Sequence, residues 1–274
     1  MNLSKLLFLI FLFTNLPIAL KGENSRYIEL VDSIDLYLQR EKWDKAESLI
    51  ITALKEEPAN FQNHILFSNL GVVRTQLGKI EEALEAFNLG LSLAPRSTVI
   101  MNNRAKTFLT IGEYEKALED IDKSLDIDGT QEWPHLMRGT ILIYKNELED
   151  AINDFSYVLQ NNNQSSLALS GLGKAYDQKG IYDEALKYYN ESLEIYDDPA
   201  VRSLLILLLI KIGKHYEASL KIQESLALYP ENPDFYIWRG YLHKLNYRKE
   251  EAEADKKIAI SKGADLELIN IYLQ

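Results

Sequence analysis

An alanine returns along the chain at Ala46, Ala83, Ala117, Ala151, Ala185, Ala218 and Ala252, at successive separations of 37, 34, 34, 34, 33 and 34 residues. The surrounding text returns with it: "LGKIEEALEAFNLGLSLAP", "IGEYEKALEDIDKSLDID" and "KGIYDEALKYYNESLEIY" are versions of one phrase. A chain written this way stacks copies of one supersecondary unit, because a single copy cannot bury its apolar side alone.

The residues around each anchor define the unit. Five before it stand Glu41, Gly78, Gly112, Asn146, Gly180, Gly213 and Tyr247, mostly residue types that tolerate a left-handed turn. Twelve before it stand Ile34, Gly71, Ala105, Gly139, Gly173, Ile206 and Gly240, and seven after it Ala53, Gly90, Ser124, Val158, Ser192, Ser225 and Ala259. Small residues at these fixed places let two helix axes approach closely. Phe87, Ile121, Phe155, Tyr189 and Ile222, four after the anchor, supply bulk. Apolar residues recur at helical spacing and no segment alternates as a strand would. Pro58, Pro95 and Pro230 end second helices. The expected fold is all-α, built of helix-turn-helix units.

A period near 34 with this pattern resembles the tetratricopeptide repeat (TPR) family. "LGKAYDQKGIYDEALKYYNESLEIYDDP", residues 172–199, is similar to it at Leu172, Gly173, Tyr176, Gly180, Tyr182, Ala185, Tyr189 and Ser192. The resemblance covers seven units over residues 27–263, starting near 27, 64, 98, 132, 166, 199 and 233. The first unit is weaker, with Glu41 at the turn and Ile34 at a small-residue place. The last carries Tyr247 at the turn and Lys256 where a core residue belongs. The resemblance implies an α-solenoid that winds into a right-handed superhelix. "ADLELINIYLQ", residues 264–274, reads as a capping helix whose Leu266, Ile269 and Leu273 cover the last apolar face, or as a dimerisation surface.

The first 22 residues stand outside the repeats. Lys5 precedes an apolar run from Leu6 to Phe13, and Asn15, Pro17 and Lys21 break it. This is the layout of a secretory signal peptide, and the run falls short of the roughly 20 residues that span a bilayer. The chain has no cysteine, so it has neither disulfides nor the cysteine that carries a lipid anchor. The expected location is periplasmic or secreted.

Charge and motif content narrow the function. The formal net charge is −11, which repels a phosphate backbone, so nucleic acid is not expected as a partner. The four histidines, His64, His135, His215 and His243, are scattered, and no metal-ligand or phosphate-binding motif occurs. No enzyme activity and no cofactor are expected.

Three units carry an arginine thirteen before the anchor and an aspartate three after it: Arg104 with Asp120, Arg138 with Asp154, and Arg239 with Asp255. The others place Ser33/Leu49, Leu70/Ala86, Leu172/Tyr188 and Leu205/Lys221 there. The covariation predicts an ion pair between the two helices of one unit, partly buried where other units place leucine.

In the family, first helices line a concave wall that binds peptides or protein segments. The matching positions here are Asn69, Asn102, Asn103, Lys106, Trp133, Leu136, Met137, Tyr144, Lys174, Leu204, Leu207, Ile210, Trp238 and Tyr241. Asn103 and Lys106 match part of the carboxylate-gripping set of some members. Trp133 and Met137 replace the basic residues that should follow, so that activity is not carried over. "LLILLLI", residues 204–210, is apolar on every helix face and should be covered by neighbouring repeats or by a partner. The resulting expectation is a non-enzymatic scaffold for a protein or peptide, with a self-associating structural subunit as the alternative.

Overall fold

A computed structural model describes residues 25–274; the expected signal peptide, residues 1–22, lies outside them. Among the described residues there are helices and no strands. In order they are α1 (Ser25–Gln39), α2 (Trp43–Glu56), α3 (Asn63–Gln76), α4 (Ile80–Leu93), α5 (Thr98–Thr110), α6 (Tyr114–Ile127), α7 (Glu132–Tyr144), α8 (Leu148–Asn161), α9 (Ser166–Lys179), α10 (Tyr182–Ile195), α11 (Pro199–Lys211), α12 (His215–Leu228), α13 (Pro233–Leu245), α14 (Lys249–Ser261) and α15 (Leu266–Tyr272).

Each hairpin is closed by backbone geometry that its turn residue makes possible. At α9–α10, Gly180 N–H bonds to the Asp177 carbonyl and Ile181 N–H to that of Tyr176, which satisfies carbonyls the helix end leaves open. Gly180 holds a φ of 78°, and Glu41, Asn146 and Tyr247 hold φ values of 53°, 61° and 58° at the equivalent turns. Tyrosine gains nothing in that conformation and its Cβ crowds the backbone. Tyr247→Gly is therefore expected to stabilise the last hairpin by about 0.5–1 kcal/mol, the strain relief less glycine's larger chain entropy, read as a higher denaturation midpoint. Four first helices and α15 start on side-chain caps: Ser97, Ser165, Asp198, Asn232 and Asp265 each accept a backbone N–H from the helix they open.

The chain divides into two compact halves, one ending at Met137 and the other running from Arg138 to Gln274. In the first, α1 packs on α2, α3 on α4 and α5 on α6. Contacts α2–α3, α4–α5 and α3–α5 join the hairpins. Its core includes Ile34, Leu38, Ile50, Leu66 and Leu70. In the second, every consecutive pair from α8 to α14 is in contact, and α9 touches α11, α11 touches α13 and α13 touches α15. Leu205, Ile206, Leu208, Ile222 and Phe235 lie at its centre. Consecutive hairpins sharing one core is the α-solenoid arrangement.

Side-chain size is matched across each hairpin. Where the second helix offers an aromatic ring, the first offers glycine: Gly71 faces Phe87, Gly139 faces Phe155, and Gly173 faces Tyr189. A Cβ on Gly173 would stand 2.5 Å from the Tyr189 ring, so only glycine leaves room for that ring. In the last hairpin that aromatic place is taken by Lys256, and the space over Gly240 is filled instead by Leu273 beyond α15, 3.1 Å from where a Cβ would be. Ile269 and Leu273 are buried, at 2% and 5% exposure. The expectation for Leu266 is corrected: it opens α15 on the outer side and is 63% exposed.

Candidate functional site

Three ion pairs tie first helices to second helices. Arg104 Nε and Nη2 donate to the two Asp120 oxygens at 2.7 and 2.6 Å. Arg138 meets Asp154 the same way at 2.9 and 2.8 Å, and Arg239 meets Asp255 at 2.9 and 2.5 Å. The carboxylates lie inside, at 2%, 4% and 3% exposure, while the guanidiniums reach the surface. This planar, two-bond geometry suits arginine's fork.

The expected wall residues separate by depth. In the first half, Asn69, Asn102, Asn103 and Lys106 are buried, as are Trp133, Leu136 and Met137 at the start of α7. They are therefore interior residues rather than an open binding face. They form a polar seam between first helices. Asn102 Nδ2 donates to Gln131 Oε1 at 2.9 Å, Asn103 Nδ2 approaches Ser68 Oγ at 3.4 Å, and the Thr75 and Thr107 hydroxyls share a bond of 2.9 Å. Both amide atoms of Asn69 lack a partner among the described residues, which marks the seam as the less satisfied part of the interior.

Lys106 sits in this seam, and burial pulls its ammonium down from 10.5 to about 8. The unfolded chain then holds more protons than the folded one between those values, so this group's contribution to stability rises as pH climbs from about 8 to 10.5. The effect is on the order of 3 kcal/mol at most. Lys106→Met is expected to be more stable than wild type at neutral pH, with the advantage shrinking through that window. Urea midpoints of both proteins across pH check it, and a constant difference would remove Lys106 as the cause.

In the second half the expected residues reach the surface more often. Tyr144 is exposed, with the Lys174 ammonium 4.9 Å from its ring centre. Burial lowers the Lys174 pKa. Leu204, Leu207 and Tyr241 are half-buried. Ile210 and Trp238 are buried, at 4% and 3%, so both are interior residues and not wall residues. The Trp238 Nε1 donates to Ser203 Oγ at 2.5 Å, and its ring meets the Tyr272 ring edge-on at 5.0 Å. Of the apolar α11 stretch, Leu205, Ile206, Leu208, Leu209 and Ile210 are buried by neighbouring helices, leaving Leu204 and Leu207 at the margin.

Lys174, Leu207 and Tyr241 stand at equivalent repeat positions on α9, α11 and α13, with α11 in contact with both of the others. They make one stripe across the second half. Tyr272 extends it, packing edge-on against Tyr241 at 5.1 Å. Sequence reasoning missed Tyr272 because it belongs to no repeat; its only sign was an aromatic inside the capping segment. Lys211 Nζ bridges to Asp177 at 2.8 Å along the same helices. Among the described residues no group of acids and histidines is placed to hold a metal, and no helix is long and apolar enough to cross a membrane.

Comparison with known proteins places this architecture. The family described as Tetratricopeptide repeat matches residues 31–98 and 136–199, and a second model of the same description matches 99–131. A crystal structure of a tetratricopeptide repeat protein from Parabacteroides merdae shares 29% identity and superposes with a TM-score of 0.77 over 91% of this chain and 98% of that one. The TPR repeat-containing protein MJ1428 of Methanocaldococcus jannaschii is 26% identical over 183 residues, 63% of this chain and 32% of its own length. DnaJ homolog subfamily C member 3 of Bos taurus is 27% identical over 137 residues, 49% of this chain and 27% of its own. The chain thus spans about a third or less of these two relatives. With the family pattern matched over more than half its length and the hairpin stacking beneath it, the chain belongs to the tetratricopeptide repeat family.

Proposed function

We propose that this protein is a non-enzymatic scaffold of the periplasm or exported space that holds a protein segment against the stripe of Lys174, Leu207, Tyr241 and Tyr272 in its second half. The observation that carries the reading is α11. It is apolar on every side, its neighbours bury most of it, and Leu204 and Leu207 remain at the water margin. Apolar and tyrosine side chains held on a rigid helical frame are suited to anchor a partner. The buried amides of the first half supply rigidity there rather than contact.

A photo-crosslinking residue at Leu207 should capture a partner in cells, and one at Leu220, 48% exposed on α12, should not. Equal adducts at both, or none at Leu207, sink the stripe as the site. Export rests on the layout of residues 1–22; recovery of the chain with those residues intact in the cytoplasmic fraction would refute it. The self-associating alternative draws on the exposed Leu266 and Ile271 of α15, at 63% and 60%. Light scattering that shows a concentration-independent monomer dismisses it.

A further inference from the structure

A cleft of about 660 Å³ opens between α12 and α13 and the turn before α14. It lies away from the stripe: α13 turns Arg239, Leu242, His243 and Asn246 toward it, and Tyr241 lies on a different face of that helix. Two arginines, Arg239 and Arg248, two imidazoles, His215 and His243, and the Tyr216 phenol line it, and no carboxylate does. Asp255, behind it, is already held by Arg239. The chain as a whole carries a net charge of −11, so a cleft lined by arginine and imidazole without a carboxylate departs from the prevailing charge.

The neighbouring hairpin shows the same place with its charges paired. The cleft between α10, α11 and α12, of about 460 Å³, is lined by Lys214, Glu217, Lys221 and Glu224. These neutralise one another at 3.6 Å for Lys214–Glu217 and 3.2 Å for Lys221–Glu224. The arginines differ too. Arg104 Nη1 is closed by the Asn88 amide oxygen from the preceding second helix. Gln223 occupies the position equivalent to Asn88, and no bond joins it to Arg239, whose guanidinium bonds Asp255 through Nε and Nη2 and lies 5.2 Å from the Tyr236 ring centre.

We propose that this cleft is a second binding site, for an acidic segment of a partner protein. Carboxylates of that segment pair with Arg248 and with the Nη1 of Arg239, which Asp255 leaves unused, beside the imidazoles of His215 and His243. Ile222, Leu226 and Leu242 form an apolar floor for the methylenes between them. Complementary charge in a concave site supplies both recognition and faster encounter. The inference does not depend on the stripe.

The test uses the purified full chain and a fluorescein-labelled octaglutamate peptide, followed by anisotropy at low ionic strength. Saturable one-to-one binding that weakens with added salt is expected. The double variant His215→Glu, Arg248→Glu should lose affinity at least about tenfold with its thermal midpoint unchanged, because losing the Arg248 charge and adding two carboxylates turns attraction into repulsion. Arg248→Gln, which removes one charge from an exposed side chain without adding a carboxylate, should weaken binding by a smaller factor, and Leu207→Asp should leave it alone. Affinity unchanged in the double variant, or octaglutamine binding as well, overturns the proposal. So does displacement by equimolar inorganic phosphate, which marks a general anion patch, or a dimer in light scattering that octaglutamate dissociates, which assigns the cleft to a second copy.

Discussion

Arg104→Leu is expected to lower the unfolding free energy by about 3–5 kcal/mol, more than most single changes in this chain. The cost arises on the other side of the pair. Asp120 is 2% exposed and has its two oxygens satisfied by the arginine fork at 2.7 and 2.6 Å. Leucine would leave that carboxylate buried without a counter-charge. The reverse change, Asp120→Ala, should cost less, about 1–3 kcal/mol, because the Arg104 side chain is 19% exposed and still bonds to Asn88. The double variant Arg104→Leu, Asp120→Ala recreates the Leu70/Ala86 pair that the preceding hairpin already uses at these places. It should recover most of the stability, giving a coupling energy of about 2 kcal/mol or more. Urea unfolding followed by circular dichroism measures all four corners of the cycle. Independent, additive losses would mean the pair is solvated and the repeat tolerates either half alone.

The anchors, turns and hairpin boundaries were legible because they are local: a residue with φ above zero, a cap, or an alanine at a helix crossing each leaves a mark within a few positions. Pairing of arginine with aspartate was legible as covariation sixteen residues apart. Depth was not. Asn69, Lys106 and Trp238 sit at repeat positions that line a wall in related proteins, yet here neighbouring first helices lie close enough to bury them. How far an adjacent helix covers a side chain depends on axis separation, which small residues elsewhere in the chain set and no single position announces. Leu266 misled for a related reason. It has the right period for a capping face, but α15 is only two turns long, and its packing onto α13 is decided by Ile269 and by Leu273 seated over Gly240. The cleft between α12 and α13 could have been suspected from Arg248 and His243, but only the packing of α12 against α13 brings His215 beside them.

Gly171→Ala is expected to destabilise the second half by about 2–3 kcal/mol, although it adds one methyl group to a helix and improves helix propensity by close to 1 kcal/mol. The reason is the Phe155 ring, which is 1% exposed and held between α7 and α9. A Cβ at Gly171 would stand 2.6 Å from it, and the ring already lies so close over Gly139 that an added Cβ there would meet it at 2.9 Å, so it has little room to retreat. Either the ring leaves its rotamer or the helices separate, and both lose packing shared by neighbouring hairpins. Phe155→Ala should cost more still, about 3–5 kcal/mol, by opening a cavity between the two glycines. Phe155→Leu gives the decisive comparison. It should be harmful in the wild-type background and much less so beside Gly171→Ala, since the smaller side chain makes the room the new methyl needs. Thermal and urea unfolding of the single and double variants test this non-additivity. Purely additive losses would show that the ring is free to move, and that the pairing of glycine with an aromatic at this hairpin is not what sets the distance between its helices.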